Sequence, residues 1–245
     1  MNKHVESDLM LKALIFDVDG TLADTEMAHL AAFNHAFREC ALDWHWSVET
    51  YTQLLAVSGG RERLRHYWKT SKPHTRAIDG GAIEDLIERL HLVKTAAYEK
   101  AVQDGQVAMR PGVLALIDAA VQAGLKLAIA TTTSPVNISA LLRRAMGEDW
   151  RKLFEVVEDA STAHLKKPHP MVYLQTLQRL RLLAEDCIAF EDSQNGLVAA
   201  RAAGLATVIT RNSFTMDHDF HGARVILDSL ATTDLAAIRN LHEKR

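Results

Sequence analysis

Strand-length apolar runs that alternate with segments of helical period constrain this chain more than any other feature of its sequence. The runs are Leu14-Ile15-Phe16, Leu125–Ala130, Phe154–Val157, Cys187–Phe190, Thr207–Thr210 and Val225–Leu227. A strand wetted on one side alternates apolar and polar residues, whereas a continuous run bounded by turn signals marks a strand buried on both faces. Between the runs, Val113–Ala123, Val136–Met146, Met171–Leu182 and Leu197–Ala203 repeat their apolar residues at helical spacing. Pro111-Gly112, Pro135 and Pro168 stand near the helix starts, where a missing N–H costs little. Gly124 and Gly204 stand where left-handed caps end helices. This alternation predicts an α/β fold whose core is a Rossmann-like parallel sheet with helices on both faces.

Residues 24–107 break the rhythm. They carry helical patterns, at Met27–Cys40 and Ile83–Val102, and no strand signal; Ser71–Gly81, with Pro73, Gly80 and Gly81, reads as a loop between helices. The predicted organisation is a core of residues 1–23 and 108–245, interrupted after its first strand by an inserted helical cap domain, residues 24–107. A net charge of −3 offers no basic field, so nucleic acid is not an expected partner. No apolar run reaches bilayer length, and Met1–Met10 has no apolar stretch of the secretory kind. The expectation is a cytoplasmic protein without membrane contact. Cys40 and Cys187 lack neighbours at metal-ligand spacing and are expected as two buried thiols in a reducing compartment.

Four short segments, each read as following a strand, carry the chemistry. In an open parallel sheet that edge is where ligands bind. Asp17-Val18-Asp19-Gly20-Thr21 places two carboxylates on one side of a strand exit, and they repel unless a cation or proton intervenes. Gly20 permits an unusual backbone angle that frees N–H groups for phosphate oxygens. Thr131-Thr132-Thr133-Ser134 offers hydroxyls and amides, although Ser and Thr also cap helices. Lys166-Lys167-Pro168 supplies a compact positive charge, although a Lys pair on its own is usually solvated surface. Glu191-Asp192-Ser193 ends another apolar run with two acids, which suit a helix N-terminus and also complete an all-oxygen cluster with Asp17 and Asp19. Hard oxygen donors beside a phosphate point to Mg²⁺.

The ordered set Asp17-x-Asp19-Gly20-Thr21, Thr131, Lys167-Pro168 and Glu191-Asp192 resembles the haloacid-dehalogenase superfamily over essentially the whole chain. The helical insert resembles the cap of the phosphoglycolate phosphatase and β-phosphoglucomutase branch. Asp43-Trp44-His45-Trp46, Ser58-Gly59-Gly60-Arg61-Glu62-Arg63 and the triple threonine resemble CbbY-type proteins, which dephosphorylate xylulose 1,5-bisphosphate, a misfire product that inhibits Rubisco. The resemblance implies a phosphatase acting on a small phosphorylated sugar. Asp17 would be its nucleophile and Asp19 its general acid and base. Mg²⁺ would be held by the Asp17 carboxylate, the Asp19 backbone carbonyl and Asp192, with Glu191 in support. Thr131, Lys167 and the Gly20, Thr21 and Thr132 amides would grip the transferred phosphoryl group. His29 stands at the family's substrate-side histidine, or simply packs on its helix. Arg61, Arg65 and Lys94 fall in cap segments that face the core in relatives and are candidates for a second phosphate, although each taken alone reads first as a solvated surface charge. Trp44 and Trp46 are expected to pack within the cap. Relatives imply a monomer.

A bisphosphorylated ketopentose leads the expected substrates, ahead of phosphoglycolate and hexose phosphates. A sugar phosphomutase shares every core motif and stays open. A receiver-type phosphoacceptor domain also combines acids, Thr and Lys, but the acids here follow the first strand and a long helical insert comes next. A dinucleotide-binding oxidoreductase is excluded: no Gly-x-Gly-x-x-Gly follows a strand, and Gly59-Gly60 lies in the helical insert.

Overall fold

The apolar runs become six parallel strands, β1 (Ala13–Phe16), β2 (Lys126–Ala130), β3 (Val156–Glu158), β4 (Cys187–Glu191), β5 (Ala206–Thr210) and β6 (Val225–Leu227), in the order β3-β2-β1-β4-β5-β6. The computed structural model describes residues 10–71 and 80–243. Residues of β1 pair in register on both sides, Phe16 lying opposite Ile129 of β2 and Phe190 of β4. The sheet's two faces differ in bulk. Leu14, Phe16, Leu127, Ile129, Ile188 and Phe190 fill one core cluster, while Ala13, Ile15, Ala128, Ala130, Cys187 and Ala189 belong to the other. This period-2 sorting presents a bulky face to α5 (Val113–Gln122) and α6 (Pro135–Met146) and a mostly small-residue face to α8 (Met171–Leu180) and α9 (Gln194–Ala202).

Helix ends follow local chemistry. Ser134 Oγ accepts the Asn137 amide with Pro135 as first helical residue, and Ser193 Oγ accepts the Gly196 amide to open α9. Gly124 and Gly204, at φ of +72° and +82°, end α5 and α9 as left-handed caps. The single-turn α7 (Trp150–Leu153) and the amphipathic α10 (Leu235–Glu243) stand outside the expected helices.

Between β1 and β2 lie α1 (Glu26–Glu39), α2 (Val48–Leu54), α3 (Gly60–Ser71) and α4 (Gly80–Gln103), the helical cap. Its core gathers Phe33, Phe37, Trp44, Trp46, Tyr51 and Leu64 among others, so both tryptophans pack inside, with Phe33 and Trp46 rings 4.7 Å apart. Leu64 of α3 is fully buried, with Tyr67 and Trp68 packed beside it one turn further on. The expected loop Ser71–Gly81 is corrected at its ends, where Ser71 closes α3 and Gly80 and Gly81 open α4; its interior lies outside the described residues. Cys187 is buried as expected, but Cys40, next to the α1 end, is only half-buried. The chain crosses between core and cap at two adjacent points, joined by Asp24 N donating to Ala108 O (3.0 Å) and Arg110 N donating to Leu22 O (2.8 Å). No helix among the described residues is long and apolar enough to cross a membrane.

Candidate active site

Strand register puts the acids together. Because Phe16 faces Phe190, the next residues, Asp17 and Glu191, leave adjacent strands side by side where the strand order reverses. Oxygens of Asp17, Glu191 and Asp192 lie within 4.8 Å of one another, and all three residues are buried. Lys167 reaches them, its Nζ donating to Asp17 Oδ1 (2.7 Å) and Glu191 Oε1 (2.5 Å). It comes from the long loop between β3 and α8, not from a strand end as expected; the following bond to Pro168 is cis. Glu191 is fully buried, and its carboxylate also accepts from the Tyr173 hydroxyl and the Asp192 amide. That leaves it behind the cluster, bracing Lys167. Asn212 Nδ2 donates to Asp192 Oδ2 at 2.8 Å.

Gly20 is required twice over. Its φ of +74° disfavours any side chain, and a Cβ there would stand 2.1 Å from Asp192 Oδ2. Gly196 likewise lies so flat on Glu191 that a Cβ would come within 1.9 Å of Oε2.

The electrostatics show an unbalanced charge. Burial, with Glu191 and Asp19 nearby, pushes the Asp17 carboxyl up to about 7 even though Lys167 pulls it down. Burial and the Asp17 and Glu191 charges hold Asp192 well above the usual carboxylate range. Lys167 is buried too, which opposes its charge, but Asp17 and Glu191 hold it above the ordinary lysine value. Three clustered carboxylates against one ammonium ion leave room for further positive charge, and the all-oxygen donor set suits Mg²⁺.

Asp19 stands apart from this cluster. Its Oδ1 lies 3.0 Å from His29 Nε2, and the Thr133 hydroxyl donates to its Oδ2. Burial would raise its pKa, but His29 and these hydrogen bonds hold it well below the usual range. His29 stacks on Tyr98 at 4.1 Å between centroids, and burial with Lys94 nearby lowers its own pKa. With Asp19 ionised its carboxylate can only accept, so the hydrogen between the two lies on His29 Nε2.

The backbone amides correct an expectation. Gly20 N donates to Ala23 O (2.9 Å) and Thr21 N to Val18 O (3.3 Å), so the turn itself consumes both. Neither residue lines the cleft, and the Thr21 hydroxyl is buried without a partner. Among the described residues, the amides of Val18, Asp19 and Thr132 donate to no protein acceptor. Thr131 is buried at the β2 exit and lines the cleft with Thr132 and Thr133.

The cleft lies between this edge and the cap. Lys94, buried and lining it, sits over the Phe33 and Tyr98 rings (5.1 and 5.3 Å), and burial lowers its pKa to about 8. Arg61 lines it as well, with its Nε bound to Glu88 (2.6 Å). Arg65 does not line it: one turn further along α3, its guanidinium makes a bidentate contact with Glu84 (2.7–3.0 Å). Sequence reasoning missed Glu26, Arg63, His91, Asn195 and His218, which also line the cleft. Glu26 accepts from Tyr51 Oη (2.6 Å), and Arg63 Nη1 donates to the same hydroxyl (3.1 Å). Thr133 and Arg63 stand inside strings quoted above, the triple threonine and Ser58–Arg63; Glu26, His91, Asn195 and His218 carry no motif.

A family model described as haloacid dehalogenase-like hydrolase matches residues 11–204. The chain is 49% identical to the protein CbbY (plasmid) of Cupriavidus necator over 95% of its own length and 97% of that protein. It is 44% identical to CbbY of Rhodobacter capsulatus, covering 94% and 99%. A solved structure of a CbbY variant from Rhodobacter sphaeroides in complex with xylulose 1,5-bisphosphate is 38% identical, covers 93% of this chain and 99% of that one, and superposes with a TM-score of 0.87.

Proposed function

The chain belongs to the haloacid dehalogenase-like hydrolases as a CbbY-like phosphatase, and on that premise we propose that it hydrolyses xylulose 1,5-bisphosphate through an aspartyl-phosphate on Asp17. The observation that carries this reading is the buried Asp17 carboxylate, held by Lys167 beside Asp192 and opening onto a cleft whose cap wall carries Arg61, Arg63 and Lys94 among Glu26 and Glu62. Arg61 and Lys94 on that wall suit a second phosphate. The xylulose 1,5-bisphosphate complex of the Rhodobacter sphaeroides relative supports the choice of substrate.

Lys167 occupies Asp17 Oδ1, so Oδ2 attacks phosphorus as the ester P–O bond breaks. Asp19 gives a proton to the departing sugar oxygen, then takes one from the water that cleaves the acyl phosphate, returning Asp17 and releasing inorganic phosphate. The nearby phosphate dianion raises the proton affinity of Asp19 against the hold of His29 and Thr133. Thr131, Lys167 and the free amides of Val18, Asp19 and Thr132 orient the phosphoryl oxygens. Asp17, Asp192 and the Asp19 carbonyl, with Glu191 behind, would hold Mg²⁺, which supplies charge neutralisation of the phosphoryl group. Residues 24–107 act as the cap that excludes water, hinged where Asp24 meets Ala108. The working form is a cytosolic monomer.

The deciding experiment is a phosphate-release screen over sugar phosphates, with and without Mg²⁺. Release from xylulose 1,5-bisphosphate should exceed that from phosphoglycolate and hexose phosphates and stop after chelation. Full activity in EDTA overturns the metal assignment, and isomerisation without phosphate release overturns hydrolysis in favour of a mutase. Asp19→Asn should cost about 10²- to 10⁴-fold in kcat, the usual weight of a general acid or base. Unchanged kcat in that variant removes Asp19 from the chemistry.

A further inference from the structure

Arg110 precedes the Pro111-Gly112 pair on the second crossing between cap and core, and it is only 6% exposed. Its guanidinium is spent on carbonyls. Nη1 donates to Gly20 O and to Thr210 O (2.9 Å), while Nη2 donates to Arg211 O and Asp228 O (both 2.8 Å). Nε has no hydrogen-bond partner and lies 3.6 Å from Asp24 Oδ1, a largely exposed side chain on the first crossing. Its main-chain amide also donates to Leu22 O at 2.8 Å. One residue therefore holds the catalytic turn at two carbonyls, on either side of Thr21, and ties it to the exits of β5 and β6.

Burying a cation with no carboxylate in hydrogen-bond range is expensive, and carbonyls at strand exits offset that cost only in a fixed geometry. A hinge residue devoted to the turn that carries Asp17 and Asp19 has a consequence for catalysis. Cap motion pulls on the 108–110 crossing, and without the fork that pull reaches the turn. We propose that Arg110 is a positioning residue for phosphoryl transfer, whose planar fork keeps the Asp17–Thr21 turn in register with the sheet edge while the cap moves. It rests on the chain being a phosphatase of this family and on no particular substrate.

The test uses the full chain with Arg110→Met and Arg110→Lys, assayed on xylulose 1,5-bisphosphate and on p-nitrophenyl phosphate well below each variant's Tm. Arg110→Met should lower kcat about 10²-fold, as a misplacement of about 1 Å does, with KM within about threefold of wild type. The loss should be equal on both substrates, because the turn serves the shared phosphoryl chemistry. Arg110→Lys, which keeps the charge but lacks the planar fork, should restore only part of kcat. Leu142→Ala, on α6 and buried in the core cluster, supplies a destabilised control whose kcat should be unchanged. Wild-type kcat in Arg110→Met overturns the proposal, as does a loss that Leu142→Ala reproduces. Should Arg110→Met fail to fold, Arg110→Lys decides, and full kcat there is the overturning result. If wild type cleaves p-nitrophenyl phosphate but not the bisphosphate, the substrate reading fails and the Arg110 comparison still stands on the first substrate.

Discussion

Asp17→Asn should fold normally and release no measurable phosphate, a loss on the order of 10⁶-fold, the scale seen when a covalent nucleophile is deleted. An amide nitrogen or carbonyl oxygen at this position is too weak a nucleophile to take the phosphoryl group and cannot be regenerated by hydrolysis of an acyl phosphate. The fold is expected to survive because Asn matches Asp in shape and its carbonyl can still accept from Lys167 Nζ. Stability need not fall. Asp17 is a carboxyl that burial and its acidic neighbours already push up to about 7, so removing its charge relieves Glu191 and Asp192. The check is twofold: phosphate release under saturating substrate, and acid-quenched trapping of phosphoenzyme from labelled substrate. Wild-type enzyme should yield a labelled, acid-stable, hydroxylamine-sensitive adduct and the variant none. Turnover near wild type in Asp17→Asn would move the nucleophile elsewhere.

The parts of this molecule legible in sequence are those whose physics is local. β1, β2, β4 and β5 are buried on both faces and read as continuous apolar runs, so their positions were found to within a residue or two. β4 nonetheless runs one residue past its apolar stretch, because Glu191 is a buried acid held by Lys167 and Tyr173. A charge at a strand end looks like a turn until its partners are known. Gly20 was legible as a turn residue, but its second requirement, clearance for Asp192, arises only when β1 and β4 lie side by side. Arg61 and Arg65 were indistinguishable in sequence; the cleft meets only the first turn of α3, and both arginines answer glutamates of α4. Tyr173, Asn212 and Arg110 act on groups far along the chain, 18, 20 and 90 residues away, and no spacing announces them.

Lys167→Met should cost both turnover and stability, and the stability loss should depend on pH. The Lys167 side chain is 4% exposed, and its Nζ lies between two carboxylates that have no other cation in contact among the described residues. Met retains most of the aliphatic bulk and removes the charge, leaving Asp17 and Glu191 buried and uncompensated, a defect of about 3–5 kcal/mol. The sign follows from linkage. In wild type the lysine's folded pKa lies above its unfolded value, so its contribution is complete below the unfolded pKa and is lost only as pH rises through the folded one. Wild type therefore keeps it through the neutral range, and below about pH 7 protonation of Asp17 removes one of its two partners. In the variant the Asp17 carboxyl, already raised by burial, loses the lysine that pulls it down, so its protonation offsets the missing charge as pH falls. Thermal unfolding in EDTA should show a large Tm deficit at pH 8 that narrows by pH 5.5. Turnover should fall about 10²- to 10³-fold, the cost of removing one preorganised donor from developing charge. An equal Tm deficit at both pH values would mean that packing, not charge, holds Lys167 in place.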